Sequence, residues 1–341
     1  MESLPRCEAQ NKEWMGVAWI GKEWQCREGT GRAGQGSDRP GGARRGKAWH
    51  GGARQRKARS FTKKRVHHMD FIYGLHHSLS QQEYRGLDAI GKSDLDLIAK
   101  SPAHFKCAVR EETAAMTLGS AVHCAVLEPD RFLGDYVTAP SIDRRSKAGK
   151  EQFAEFEAAN QGKTVLSMED GMLCHHLAQS VLSHVLAAPL LVGAMPEVSA
   201  LWSDAEFNVR CRARFDALTP GGWIIDLKTT TDASPRGFAK SVANFRYHVQ
   251  AAWYLDGYQV ATGGDLPVGF LFIAVEKTPP YAVALYELDA ESVEQGRMVA
   301  RRDLARYANA RDLDQWEGYP EAIQTLSLPR WAMTNDINAE E

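Results

Sequence analysis

Asp216, Asp226 and Lys228 hold the strongest chemical signal in the chain. Asp226 and Lys228 lie two apart in WIIDLKTT, so on an extended strand their side chains leave the same face. Asp216 stands near the end of the preceding segment, FNVRCRARFDAL, and Thr219-Pro220-Gly221-Gly222 between the two segments makes a turn. Pairing across that turn as a β-hairpin could set Asp216 beside Asp226. Two carboxylates together form a hard, all-oxygen site, which magnesium completes with water and phosphate oxygens. A lysine beside them places positive charge where a phosphoryl group would sit, to orient a water or offset charge in the transition state. The set suits hydrolysis of a phosphodiester, and a second metal could bind about 3.5–4 Å from the first. The bare spacing D-x(9)-D-x-K is not specific, because an exposed hairpin with surface charges would show it too. Asp226 weighs against that reading. It interrupts the apolar run of Trp223, Ile224, Ile225 and Leu227, and a buried carboxylate is costly unless it is paired or metal-bound.

The elements that must position these residues can be read from periodicity. Residues 207–218 alternate, with Phe207, Val209, Cys211, Ala213 and Phe215 pointing one way and Asn208, Arg210, Arg212, Arg214 and Asp216 the other. Residues 223–230 form the second strand of the hairpin. Upstream, 92–100 reads as a helix with Ser93 as its N-cap. Residues 117–128 read as a helix opening after Gly119-Ser120. Two more helices cover 147–159 and 169–188, the latter stopped by Pro189. A long helix follows at 238–260, then strands near 268–276 and 281–288, then a helix over 289–309. The order of helices, three strands, helix, two strands and helix predicts an α/β sandwich, a central mixed β-sheet flanked by helices.

Charge divides the chain in two. Its formal net charge is −2, but residues 1–66 hold 16 Lys and Arg against 6 Asp and Glu, and the remainder holds 25 against 37. Residues 27–60 are dominated by glycine and arginine and cannot bury enough apolar surface to fold. Residues 1–68 are therefore expected to be a disordered basic extension, with a globular domain over 69–335. The composition break favours an upstream extension with Met69 as the true start over a basic arm that touches phosphates. The six cysteines form no C-x-x-C pair, which argues against a zinc ribbon or an iron–sulfur cluster. Scattered cysteines fit buried, reduced thiols. With no apolar run of about 18 residues and no secretory signal, a cytoplasmic protein without membrane contact is expected.

Further motifs stand in a telling order: KSDLDLIAKSPAHF, LGSAVHCAVLEP, PEVSALW, RCRARFDAL, WIIDLKTT and YHVQAAWY. Together they resemble the nuclease domain of the exodeoxyribonuclease VIII (RecE-like) phage and prophage family, within the PD-(D/E)XK nuclease superfamily. The resemblance runs from about Met69 to about Trp331. It implies metal binding by His123, Asp216 and Asp226, an acidic residue near a second metal at Glu197, and a catalytic Lys228. Gln250 and Tyr254 match a Q-x-x-x-Y motif that contacts DNA or supports the site, and being four apart they share a helical face. The implied activity is exodeoxyribonuclease digestion of linear double-stranded DNA, 5′ to 3′, leaving 3′ single-stranded tails. Mg2+, or Mn2+, is the implied cofactor. A single-strand annealing protein and a ring-shaped homo-oligomer are the implied partners.

Other residues carry weaker signals. Arg210, Arg212 and Arg214 line one strand face and could contact DNA phosphates or pair with acids on a neighbouring strand. The pairs His67-His68, His76-His77 and His175-His176 point apart and are poor chelators. Trp202 and Trp253 read as core. Neither a G-x-S-x-G nor a phosphate-loop lysine motif is present. Two alternatives stay open: an endonuclease or helicase-associated nuclease of the same fold, or a DNA-binding module without activity. The retained Asp216, Asp226 and Lys228 count against the last.

Overall fold

The computed structural model describes residues 71–109 and 113–328. The basic extension over 1–68, Met69 and residues 329–335 lie outside them. The chain enters with β1 (Gly74–His76) and the helices α1 (Gln81–Gly86), α2 (Lys92–Lys100), α3 (Pro102–Lys106), α4 (Ala114–Leu127) and α5 (Pro129–Asp135). Next come β2 (Tyr136–Thr138), α6 (Lys147–Ala159), β3 (Thr164–Leu166), α7 (Met168–Ser183) and α8 (Ala187–Leu191). The central strands are β4 (Met195–Asp204), β5 (Val209–Leu218) and β6 (Trp223–Thr230). Then follow α9 (Pro235–Asn244), α10 (Tyr247–Ala261), β7 (Gly269–Glu276), β8 (Val283–Glu287) and α11 (Ala290–Leu313).

Six strands form one sheet in the order β1-β4-β5-β6-β7-β8. The β6–β7 pair is parallel and its neighbours are antiparallel, so the sheet is mixed as expected. Helices cover both faces. On one face, Phe215, Ile224 and Phe272 pack with Leu95 and Ile98 of α2, Trp253 of α10 and Leu304 of α11. On the other, Ile225, Leu227 and Ile273 pack with Val122 of α4 and Leu177 of α7. Trp202 and Trp253 are core residues with ring centroids 5.0 Å apart.

Several expected boundaries shift, each for a local reason. Gly91, not Ser93, caps α2, and Asp94 in its first turn accepts from the Gly91 N–H. Helix α4 starts at Ala114, where the Thr113 hydroxyl accepts from the Met116 N–H, so Gly119 and Ser120 lie inside it. Helix α7 ends at Ser183, and Pro189 does not stop it but sits within α8. The long helix over 238–260 is two helices, broken where Arg246 takes a left-handed backbone (φ 56). Its guanidinium is pinned there by the Leu95 carbonyl, Asp96 and Asp303, contacts that bind α10 to α2 and α11. Glu197 lies within β4 rather than ahead of the first core strand.

Candidate active site

The hairpin forms as its turn predicts. Backbone pairing between β5 and β6 covers Ala217 with Ile225 and Leu218 with Ile224, which places Asp216 next to Asp226. There the strands part. The Leu227 N–H donates to the Asp216 Oδ2 at 2.8 Å, so a side chain takes the place of a ladder carbonyl. The alternation of β5 also slips: Ala213, Phe215 and Leu218 pack in one core cluster and Ala217 in the other. Asp216 sits at the slip, which turns its carboxylate to the hairpin partner. The flanking β4–β5 pairs set Glu197 opposite Asp216. Three carboxylates, from Glu197, Asp216 and Asp226, thus stand on three adjacent strands at one level of the sheet. Glu197 has φ 54, a left-handed conformation that costs a residue with a side chain roughly 1–2 kcal/mol.

Asp226 is 1% exposed. The Gln250 side-chain amide donates to its Oδ1 from α10, across the sheet. The Lys228 Nζ lies 2.6 Å from its Oδ2 in a buried ion pair, and among the described residues that oxygen has no other partner. The Lys228 ammonium also stands 4.7 Å from the centre of the Tyr247 ring. Tyr254, one turn beyond Gln250, packs against Phe215 and Phe270. From the opposite helix layer, His123 on α4 brings its Nδ1 within 3.3 Å of the Asp216 Oδ2. A cleft of about 910 Å³ opens over this floor, with His123, Glu197, Asp216 and Gln250 among its walls.

The charges hold one another in unusual states. Burial pushes the Asp226 carboxyl up to about 6; Lys228 opposes this and Asp216 reinforces it. Burial also works against ionisation of Asp216, but His123 and Lys228 outweigh it and hold that carboxyl below the usual range. The His123 imidazole goes the other way, its burial outweighed by Asp216, so its affinity for a proton is raised. Lys228 is raised too, because Asp226 and Asp216 overcome burial. Burial and then Asp216 raise Glu197, against Arg214. Two adjacent carboxyls with opposite shifts are a mark of functional sites.

Arg212 and Arg214 line the cleft but are buried and engaged within the chain. Arg212 is 4% exposed and donates to the carbonyls of Tyr84 and Leu87, with Asp94 at 3.4 Å. Arg214 donates to Ser199, to Gln81 and the Leu79 carbonyl of the α1 region, and to Glu197 at 3.3 Å. The Tyr84 ring of α1 packs against both guanidiniums, so this part of the polar face of β5 is largely covered. Arg214 supports the site by holding Glu197.

The sequence reading missed Lys92 and Tyr247. Lys92 donates to the Phe245 carbonyl and pairs with Asp96 at 2.8 Å. Its pKa is lowered, first by burial, with nearby Lys228 contributing. No local pattern marks either residue, since both reach the site through contacts between α2, β6 and α10.

Among the described residues, no three His, Cys, Asp or Glu side chains converge as a ready metal-holding group. The donors present are two adjacent carboxylates, one with a buried oxygen held by the Lys228 ammonium alone. A hard cation that takes one or two carboxylates and fills its other positions with water and phosphate oxygens fits that set. A closed cage of protein ligands does not. As placed, His123 contacts Asp216 and Glu197 contacts Arg214, so both surround the pair.

A family model for a PDDEXK-like domain of unknown function (DUF3799) matches residues 86–329, a span that holds the entire site. The chain belongs to this PDDEXK-like family. Among solved structures it is similar to a candidate exonuclease from Eubacterium rectale, with 14% identity, 76% of this chain and 99% of that chain covered, and a TM-score of 0.47. It is also similar to an alkaline exonuclease from Laribacter hongkongensis, with 15% identity, 57% and 96% covered, and a TM-score of 0.25. No curated protein sequence matches the chain. No helix among the described residues of this PDDEXK-like protein is long and apolar enough to cross a membrane.

Proposed function

We propose that the chain is a magnesium-dependent exodeoxyribonuclease that digests linear double-stranded DNA. The observation that carries this reading is the buried Asp226 beside Asp216 and Lys228, with Asp216 in the wall of a wide cleft. Asp216 and Asp226 would hold the cation, Mg2+ or in its place Mn2+. Once bound, it would supply Lewis-acid stabilisation of charge developing on the phosphate. Gln250 fixes the Asp226 Oδ1 and leaves Oδ2 turned toward Lys228. His123 and the Leu227 N–H keep Asp216 ionised and oriented. The Lys228 ammonium orients the attacking water or offsets charge on the phosphoryl oxygens. Burial around the site strengthens each of these interactions. Arg85, Lys92 and Arg131 line the same cleft, a local basic surface that attracts phosphates even on a net acidic domain.

Digestion from DNA ends, 5′ to 3′, with 3′ tails passed to a single-strand annealing protein, follows from the likeness of the motifs to the RecE-like family. So do a homo-oligomeric ring and a role in phage-type recombination in the cytoplasm. The test uses linear duplex labelled at its 5′ ends and a closed circle of the same sequence, each in magnesium and in chelator. Short labelled products from the linear form alone, absent in chelator, are expected. Cutting of the circle would replace the exonuclease with an endonuclease, and binding without cleavage would leave a DNA-binding module.

A further inference from the structure

A second cavity lies beside Lys228. It holds about 120 Å³ and is walled by Lys228, Thr229, Thr231, Ser241, Phe245 and Lys277, with Tyr247 at its back. Water needs only ~10–15 Å³ on this measure, so the space admits a phosphate group but not a base pair. Some of its polar groups are engaged, Lys228 with Asp226, the Thr230 hydroxyl with the Asp232 backbone and the Ser241 hydroxyl with the Gly237 carbonyl, and others are not. Among the described residues the Thr229 and Thr231 hydroxyls have no hydrogen-bond partner, and no carboxylate pairs with the exposed Lys277 ammonium. Two acids stand near, and both are engaged: Asp232 accepts from the Ser234 N–H and Glu276 from the Ala233 N–H. Phe245 stacks on Tyr247, with centroids 5.6 Å apart, yet is 60% exposed. An aromatic ring backed by a second ring, with its remaining surface in water beside a cationic pocket, suits an unpaired base. Exposed Arg236 and Lys240 on α9 extend the positive surface beyond it.

We propose that this cavity is a nucleotide subsite for the DNA strand being cut. The phosphate next to the scissile one enters between Lys277 and the Thr229 and Thr231 hydroxyls, and its unpaired base lies over Phe245. Lys228 walls this cavity while its Nζ lies 2.6 Å from the Asp226 Oδ2, which sets the subsite one side chain away from the carboxylate pair. The inference rests on the nuclease reading for what occupies the main cleft. It adds that the strand passes through as single-stranded nucleotides, with the duplex opened before α9.

Binding of a short labelled single-stranded oligonucleotide, followed by anisotropy in chelator across a salt series, tests the subsite without cleavage. Phe245→Ala is expected to weaken binding roughly 5- to 100-fold, the range for one base stacked on an aromatic ring, and Phe245→Tyr to restore it. Lys277→Ala is expected to reduce the slope of log affinity against log salt by about 0.7, the value for one single-strand phosphate contact, while Phe245→Ala leaves the slope unchanged. Wild-type binding and slope in both alanine variants, or no oligonucleotide binding by the wild type, would overturn the subsite. Cleavage of linear duplex by the wild type in magnesium is scored separately. Lost binding in the variants with no wild-type cleavage would sink the nuclease reading and keep the subsite. Cleavage with unaltered binding in the variants would do the reverse.

Discussion

At the scale of single residues, the site is built on a conflict that Asp226 embodies. A carboxylate at 1% exposure, with one oxygen held only by the Lys228 ammonium, is costly to bury in a protein that does not use it. Its pKa, raised by burial from 3.8 to about 6, means that the folded chain holds the proton more tightly than the unfolded chain does. The stability this contributes is present below 3.8 and is lost as the pH rises through about 6. In chelator, wild type should therefore lose up to about 3 kcal/mol relative to Asp226→Asn across that window, at 1.36 kcal/mol per unit. Urea midpoints at a series of pH values measure it. Magnesium added above pH 6 should return part of the difference to wild type alone, since binding to the folded state stabilises it. A difference between the two proteins that is flat with pH would contradict the assignment of Asp226.

At the scale of elements, the site depends on how closely α10 approaches its neighbours, because α10 brings Gln250 to Asp226. Two glycines permit that approach. A Cβ at Gly296 of α11 would lie 2.1 Å from the His248 carbonyl oxygen, and one at Gly257 would lie 2.6 Å from the Trp202 ring. Backbone yields less readily than a side chain, so Gly296→Ala should cost about 1–3 kcal/mol by overpacking and draw Gln250 away from Asp226. Thermal unfolding and cleavage rate should fall together, whereas unchanged values would show that α10 has slack. Much at this scale was legible in the sequence. The alternation in 207–218 and the turn at Pro220-Gly221 fixed the hairpin, and the interruption of an apolar run by Asp226 marked the buried carboxylate. The break at Arg246 was not legible, since its left-handed backbone is stabilised by Asp96 and Asp303 from distant helices. The partners of Arg212 and Arg214 were not legible for the same reason: alternation shows that two faces differ, but not that α1 packs on the polar one. Lys92 and Tyr247 reach Lys228 only through tertiary packing.

At the scale of the whole molecule, a mixed sheet sandwiched by helices presents a wide cleft lined by β4 and β5, with the Asp226 and Lys228 of β6 beside it. The sheet supplies the carboxylates and the lysine, and each helix layer supplies one orienting partner: His123 from α4 on one side and Gln250 from α10 on the other. The carboxylates, the lysine and their two orienting partners are therefore drawn from segments between residues 123 and 250. The central claim is that Lys228 acts on the phosphate while Asp216 and Asp226 hold the cation. The most direct test is the initial rate of linear duplex digestion by wild type and Lys228→Ala in magnesium, alongside the magnesium-induced shift in melting temperature of each. The account predicts a rate lower by roughly 100- to 1,000-fold in the variant, with the thermal shift retained and DNA binding intact. Equal rates in the two proteins would contradict it.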